Sequence, residues 1–462
     1  MGLRMLLVIL VLAGSARANL FDVFGAGARS QAMVGALGAI TADPMAIYHN
    51  PAGLTDAPPT LQLGLLGAYN RGSILLVPRP KGYDPPDYGE RLRQRADTVD
   101  PPGTAGILLG FSTQLFSEDL ALGVMLLVPL DGFASINGHF GDETEQYFSN
   151  RLHFELLGDA LDSEVISFAL AYRLRRWLSM GIGMSVLVGA HATAPVYVPN
   201  ATELTDVDIE ARVQTRTARA FTAGIIARPA EWLRIGVAFQ DEIALRIDGE
   251  SELQIRGDEE AGVVNQRLDL VTSWSPVRLT GSVAYVDDES FTVALEGTWR
   301  GWSRYVDNHN QPADFEDTVE GKLAAEWEVA ERTFARAGVS FSPSPVPPQT
   351  GRTNYVDNDR VGLGFGAGRN LKVWDLDLTL DVGLQVQALL KNEVRKTRRS
   401  GTWPGCDTAT RNLCDETPDQ TEDTTLLRAA DTQGLQTGNP GFPGYVSGGY
   451  LVAASIDLKW RF

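Results

Sequence analysis

Five histidines, two cysteines and a short run of alternating glycines are the residues of this chain whose types and spacing could do chemistry. Zinc hydrolysis would need two histidines one helical turn apart with a general base between them, as in HExxH. His49, His139, His153, His191 and His309 are scattered, and none has such a neighbour. Acyl transfer from an activated serine would need a GxSxG elbow, which does not occur. Gly362, Gly364, Gly366 and Gly368 could cradle a phosphate only if a Lys-Ser/Thr pair and a helix followed, and neither does. They read as a strand face of small residues. No catalytic residue, metal site or cofactor is expected.

The surrounding chain is that of an exported protein. Arg4 precedes an unbroken apolar run, Met5 to Ala13, and Ala16-Arg17-Ala18 then supplies a small-residue cleavage site, so residues 1–18 read as a signal peptide. Beyond it no stretch approaches the roughly 18 to 20 apolar residues of a transmembrane helix. In an exported chain, Cys406 and Cys414, close together in a polar segment, favour a small loop disulfide over a metal site. The net charge of −18 and pI near 4.8 leave no basic patch to neutralise phosphates, which excludes nucleic acid as a partner.

Period-two alternation dominates the rest. Ser455 to Phe462 alternates polar and apolar without exception and ends on an aromatic. Similar segments recur, separated alternately by short and long spacers, giving about fourteen strands of an antiparallel up-and-down β-barrel. Among them are Leu61 to Tyr69, Leu120 to Val128, Val207 to Ala227, Leu233 to Leu245, Val264 to Val286 and Trp374 to Leu390. Short turns after every even strand place both termini in the periplasm and the long loops outside. In the strand from Trp374, Leu376, Leu378, Leu380, Val382, Leu384 and Val386 form a lipid face, and Asp375, Asp377, Thr379, Asp381, Gln385 and Gln387 a lumen face. Trp177, Trp232 and Trp374 follow short turns, as an interfacial aromatic girdle requires. A soluble β-sandwich would also alternate, but it accounts for neither the girdle nor the terminal Phe.

Residues 19–59 do not fit a strand: they lack alternation, are rich in Ala, Gly and Met, and contain two proline turns, Asp43-Pro44 and Asn50-Pro51. A compact segment of that size on the periplasmic side is placed to plug the lumen, leaving 60–462 as the barrel. Gly25-Ala26-Gly27-Ala28-Arg29-Ser30-Gln31-Ala32-Met33 and Ala42-Asp43-Pro44-Met45-Ala46-Ile47-Tyr48-His49-Asn50-Pro51-Ala52-Gly53-Leu54 resemble the N-terminal signature of the FadL/TodX family. Those are outer-membrane transporters of long-chain fatty acids and aromatic hydrocarbons. Trp274-Ser275-Pro276, Glu296-Gly297-Thr298-Trp299 and Asp357-Asn358-Asp359-Arg360 resemble family features in the same order.

The resemblance implies a monomeric outer-membrane channel that takes up hydrophobic small molecules passively. Its assembly partner would be the barrel-assembly machinery, and its surroundings outer-membrane lipid and lipopolysaccharide. It implies a hatch motif at Asn50, Pro51 and Ala52, with Asn50 hydrogen-bonded to seat the plug. The mature N-terminus, Asn19, Leu20, Phe21, Val23 and Phe24, would line a ligand pocket. A kink in the third strand at Pro129, Gly132 and Phe133 would release ligand sideways, since Pro cannot donate to the ladder and Gly tolerates a bulge. Ile74 to Pro78 in the first outer connection, and Phe148, Leu152, Phe154, Leu156 and Leu157 in the second, would form a capture surface. A general diffusion porin is the alternative; an outer-membrane lipase or protease would need His139, His153 or His309 beside a Ser and an acidic partner at one rim.

Overall fold

The computed structural model describes residues 23–76, 96–98, 103–130, 163–190, 207–215, 218–255, 263–287, 290–306, 312–349, 355–395 and 444–462. The alternating segments form antiparallel strands: β1 (Thr60–Leu76), β2 (Ala96–Thr98), β3 (Gly103–Leu115), β4 (Ser117–Pro129), β5 (Ser163–Arg175), β6 (Leu178–Ala190), β7 (Val207–Thr215), β8 (Arg219–Ala230) and β9 (Leu233–Gln240). They continue as β10 (Ile243–Ile255), β11 (Val263–Ser275), β12 (Arg278–Asp287), β13 (Phe291–Arg300), β14 (Thr318–Ala330), β15 (Thr333–Ser342), β16 (Arg360–Val373), β17 (Leu376–Arg395) and β18 (Gly444–Arg461). Apart from β2, β7, β10 and β11, each strand pairs with the next barrel strand in the chain, and β18 returns to β1 from Thr60↔Arg461 to Leu76↔Tyr445. Fourteen strands thus close a barrel, leaving no edge to template aggregation.

Side-chain alternation assigns the two faces. Leu61, Leu63 and Leu65 of β1 are exposed, as are Ile456, Leu458 and Trp460 of β18, while Gln62, Asp457 and Lys459 between them are buried. An apolar band of this extent on the outside belongs against lipid. On β17, Val382 and Leu384 point outward and Thr379, Asp381, Gln385 and Gln387 inward, the division that alternation requires. Trp177, Trp232 and Trp374 stand in the short turns just ahead of β6, β9 and β17. Phe462 lies within 6.2 Å of Phe111 and 5.5 Å of Trp460, continuing the aromatic rim.

Two expectations change. Ile74, Leu75 and Leu76 are not loop: they extend β1 upward, opposite Ser447, Val446 and Tyr445 of β18. The sixth, seventh and eighth strands are not continuous either. Each breaks, and the outer halves β7, β10 and β11 form a separate three-stranded sheet. The causes are local. Pro276 has no N–H to give between β11 and β12, and the Asp241 carboxylate accepts the Glu242 N–H at 2.9 Å, diverting the backbone between β9 and β10.

Candidate functional site

Residues 23–59 pack against inward-facing side chains of the barrel as two short helices, α1 (Ala28–Ala32) and α2 (Ala46–His49), followed by a 3-10 turn, Pro51–Asp56. The small residues permit a close approach. Gly25, Gly27 and Gly35 take positive φ, which larger residues resist. The wall is cut back to match. A Cβ on Gly364 would lie 2.5 Å from the carbonyls of Gln31 and Ala32, and one on Gly123 2.8 Å from Leu54. Gly181 likewise faces Pro51–Ala52, Gly236 faces Gly38 and Gly383 faces Ala28. The small-residue face read from Gly362, Gly364, Gly366 and Gly368 is therefore the side on which α1 lies.

Asn50 is fully buried in extended backbone between α2 and the 3-10 turn. Its Nδ2 donates to the Gly38 carbonyl at 2.8 Å and to the wall carbonyls of Ile225 at 3.2 Å and Val237 at 3.4 Å. Its Oδ1 accepts the Ala52 N–H at 3.1 Å, so one amide caps the turn and ties it to β8 and β9. Pro51 starts the 3-10 turn, where a missing N–H costs nothing. The opposing wall position, Gly224, has no room for a side chain against the Asn50 amide.

Charges complete the seat. Arg29 donates to both oxygens of Glu326, at 3.0 and 2.8 Å, a bidentate pair. Glu326 also binds Arg336, which reaches Asp381 at 2.6 Å. Lys459 joins Asp381 at 3.1 Å to Asp43 at 2.6 Å. Asp457 accepts the Ala28 N–H at 2.7 Å and the Gln62 amide at 3.0 Å. At the lower end, Asp56 is gripped by Arg228 and, at 3.1 Å, by Arg173. Although burial works against its charge, Lys459 and Arg29 hold the Asp43 carboxyl below the usual range.

His49 behaves oppositely. Burial, reinforced by the Lys322 ammonium, pushes its imidazole down to about 3, so it is neutral at pH 7. A folded value below the ordinary 6.5 means the seated segment binds fewer protons than the released one, so its stability falls as pH drops from 6.5 toward 3. Ion conductance in planar bilayers is expected to rise between about pH 7 and pH 5 in the native protein and to stay flat in His49→Asn.

Two different surfaces meet beside this segment. Phe24, Ile47 and Leu54 pack on Leu66, Leu108, Met125 and Leu127, an apolar patch on the inner wall of β1, β3 and β4. Opposite it is a small cleft with a cavity volume of about 60 Å³, room for a few waters, lined by Val23, Phe24 and His49 and by the charged side chains of Arg278, Glu296, Arg300, Glu320 and Lys322. Those charges pair across strands, Arg300 with Glu320 at 3.1 Å and Lys322 with Glu296 at 3.3 Å. Glu296 also accepts the Gly38 N–H at 2.9 Å.

The sequence-derived candidates fall in three places. Asn50, Pro51 and Ala52 sit together against β6, β8 and β9. Val23 and Phe24 meet at the cleft, with Phe24 buried; Asn19, Leu20 and Phe21 lie outside the described residues. Pro129 ends β4 opposite Gly106. Gly132 and Phe133 lie outside the described residues, as do Cys406, Cys414, the 148–157 stretch and all the histidines but His49. Sequence reasoning missed Arg29, Asp43 and Asp56 as anchors. Their signal was faint: a few charges, Asp22 among them, in a segment of mostly small and apolar residues.

Residues 9–412 match the family described as outer membrane protein transport protein (OMPP1/FadL/TodX). No curated protein matches the sequence significantly. Among solved structures, a FadL homologue of Pseudomonas aeruginosa is similar over 97% of this chain and 100% of its own, at 13% identity and a TM-score of 0.57. The toluene transporter TodX of Pseudomonas putida is similar over 96% and 99%, at 12% identity and 0.51. The CymD monoaromatic hydrocarbon channel covers the same shares, at 15% identity and 0.51. At these identities the likeness is one of fold, and the family match supplies the rest: this chain belongs to the OMPP1/FadL/TodX family of outer-membrane transport proteins.

Proposed function

We propose that the protein is a passive outer-membrane channel for hydrophobic small molecules, of the class of long-chain fatty acids or aromatic hydrocarbons. The observation that carries this reading is the apolar inner wall. Leu66, Leu108, Met125 and Leu127 face inward and are buried with Phe24. A general diffusion porin lines its lumen with polar side chains so that water fills it. A greasy wall beside a packed N-terminal segment offers water little and an apolar solute a surface. The names of the neighbouring channels, for toluene and monoaromatic hydrocarbons, support the same class.

In this reading a solute partitions onto the outer loops and moves to a pocket bounded by the mature N-terminus, residues 19–24. Asn50, Pro51 and Ala52 then shift with residues 19–59, which act as the plug, and the solute leaves sideways at Pro129, Gly132 and Phe133. Lateral exit spares it a passage through wet lumen. The gradient and downstream consumption supply the drive, with no cofactor and no bond broken.

The test uses an outer-membrane host deficient in such uptake. The protein is expected to restore uptake of radiolabelled oleate or toluene while conducting few ions in planar bilayers. High conductance with no uptake of either would make it a porin. Release of fatty acid from phospholipid by the purified protein would make it an enzyme.

A further inference from the structure

Three neighbouring strands outgrow the wall. β17 and β18 run to 20 and 18 residues and β1 to 17, against 10 for β12 and β13. The surplus stands at the outer end, since Thr60↔Arg461 and Asp377↔Arg461 fix the lower one. On β18 the outward-facing row starts at Trp460 and reaches Tyr450, about 33 Å along the strand and about 25 Å of height once tilted, the depth of a lipid-facing band. Tyr69 ends the same row on β1, one pair lower. Two exposed tyrosines at this level are an outer aromatic belt, so what stands just above them lies among lipid headgroups.

The outer surface changes character there. On β1, Arg71 lies opposite Tyr450 and Ser73 opposite Gly448, and both are exposed. On the other flank of β18, a bulge between Leu389 and Asn392 leaves two successive residues, Leu390 and Lys391, exposed on the outer side. Leu389 before them is buried, and the Asn392 amide after them donates to the Asp357 carbonyl at 3.3 Å. Between the flanks β18 offers no side chain: a Cβ on Gly448 would touch only the Leu389 carbonyl and the Lys391 Cα, at 3.5 and 3.7 Å. The result is a notch with a glycine floor, rimmed by a guanidinium, an ammonium and a hydroxyl, with Tyr450 as its lower lip. Its flanks are two strand spacings apart, about 10 Å, so the long side chains of Arg71 and Lys391 can meet on one small anion.

The neighbouring carboxylates are Glu393, higher on β17, and Asp359, on the far side of that strand. Asp359 accepts the Ser344 N–H at 2.8 Å, and Glu393 accepts from Arg395 at 2.7 Å more closely than from Lys391 at 3.4 Å. An exposed pair such as Lys391–Glu393 contributes little and yields to a better anion. Two cations are too few for a nucleic acid, but they suit the roughly −2 charge of a phosphate monoester. The phosphodiester of a glycerophospholipid carries about half of that.

We propose that this notch binds a phosphate monoester of the phosphorylated glycolipid of the outer leaflet, the lipid A part of lipopolysaccharide. Arg71 and Lys391 donate to the phosphate oxygens, Ser73 completes the contact, and Tyr450 lies against the sugar. The inference goes beyond the uptake reading and does not rest on it: it uses only the barrel and the level of its outer surface.

The full-length protein in detergent is titrated with bisphosphorylated lipid A, and bound lipid is counted by native mass spectrometry. Arg71→Gln and Lys391→Gln are each expected to weaken binding by about tenfold, the loss of one charge-assisted hydrogen bond, and by about a hundredfold together. Gly448→Leu, which fills the notch and leaves every charge in place, should weaken it by about tenfold; Ser73→Leu narrows the notch from β1 and stands in if that variant does not fold. Arg304→Gln, which removes an exposed cation in the β13–β14 connection, should change nothing. Lipid A freed of both phosphates should bind the native protein no better than the intact lipid binds the double variant. Equal binding of intact lipid A by the native protein and the double variant would overturn the proposal. So would an equal loss in Arg304→Gln, which would mean diffuse attraction, or phosphatidylglycerol competing as well as lipid A, which would mean that any anionic lipid serves.

Discussion

Gly224→Leu is expected to open an aqueous pore through the barrel and raise its ion conductance. Any side chain at that position meets the Asn50 amide, and the wall there is continuous strand with no slack. Asn50 cannot retreat, because its amide is held at once by Gly38, Ile225, Val237 and Ala52. The turn must therefore lift off β8, taking with it the Pro51–Asp56 segment. Small eight-stranded barrels are filled by their own side chains and barrels of sixteen or more hold aqueous channels; fourteen strands emptied of their filling should conduct about tenfold or more above the native level. Single-channel recording checks this, and the heat-modifiable shift of folded barrels on gels controls for folding. Conductance unchanged from the native protein would mean that Asn50 does not hold the segment in place.

The second large effect is expected at Lys459. Its ammonium is buried between Asp43 on the N-terminal segment and Asp381 on β17. Lys459→Met keeps most of the volume and removes the charge, leaving a carboxylate buried without its cation, a loss of about 3–5 kcal/mol. Asp381 retains Arg336, so the loss falls mainly on Asp43. The Lys459→Met/Asp43→Asn double variant should therefore recover about half of the stability, because the stranded charge is gone. The temperature of the heat-modifiable transition reads both steps. Recovery of nothing would show that the cost lies in the wall rather than in the seat.

The barrel was legible because its signal is repeated. Alternation in β1, β17 and β18 states the lipid face in each strand independently, and the ring closes only if the strand number and the short turns agree. The break at Asp241 was hidden because the apolar parity of Leu233, Ile235, Val237 and Phe239 resumes at Ile243 and Leu245, whereas at Pro276 the parity shifts, from Leu268, Leu270 and Trp274 to Val277, Leu279 and Val283. Pro276 was visible as a residue that cannot donate, but its effect depends on which neighbours would have accepted.

The seat was half legible. Asn50-Pro51 announces a turn through its own local chemistry, whatever the turn rests on. Gly181, Gly224 and Gly236 announce nothing, since a glycine in a strand reads as a weak point until a second segment is found against it. The pairing of Arg29 with Glu326, 297 residues away, is invisible for the same reason. Alternation tells which way a side chain points, and only the closed ring tells what it meets.

β18 has a consequence for assembly. It is the strand that pairs with β1 to shut the ring, and it also carries Asp457 and Lys459, which hold Ala28 and Asp43. Until that strand arrives, the N-terminal segment lacks two of its anchors, although it is made first. Closure and filling are thus coupled in time: a ring shut without its contents would leave Lys459 without Asp43 and Asp457 without the Ala28 N–H, and contents docked before the ring shuts would lack both of these anchors. The last strand therefore acts as a checkpoint, one that disfavours releasing into the membrane a finished barrel that leaks.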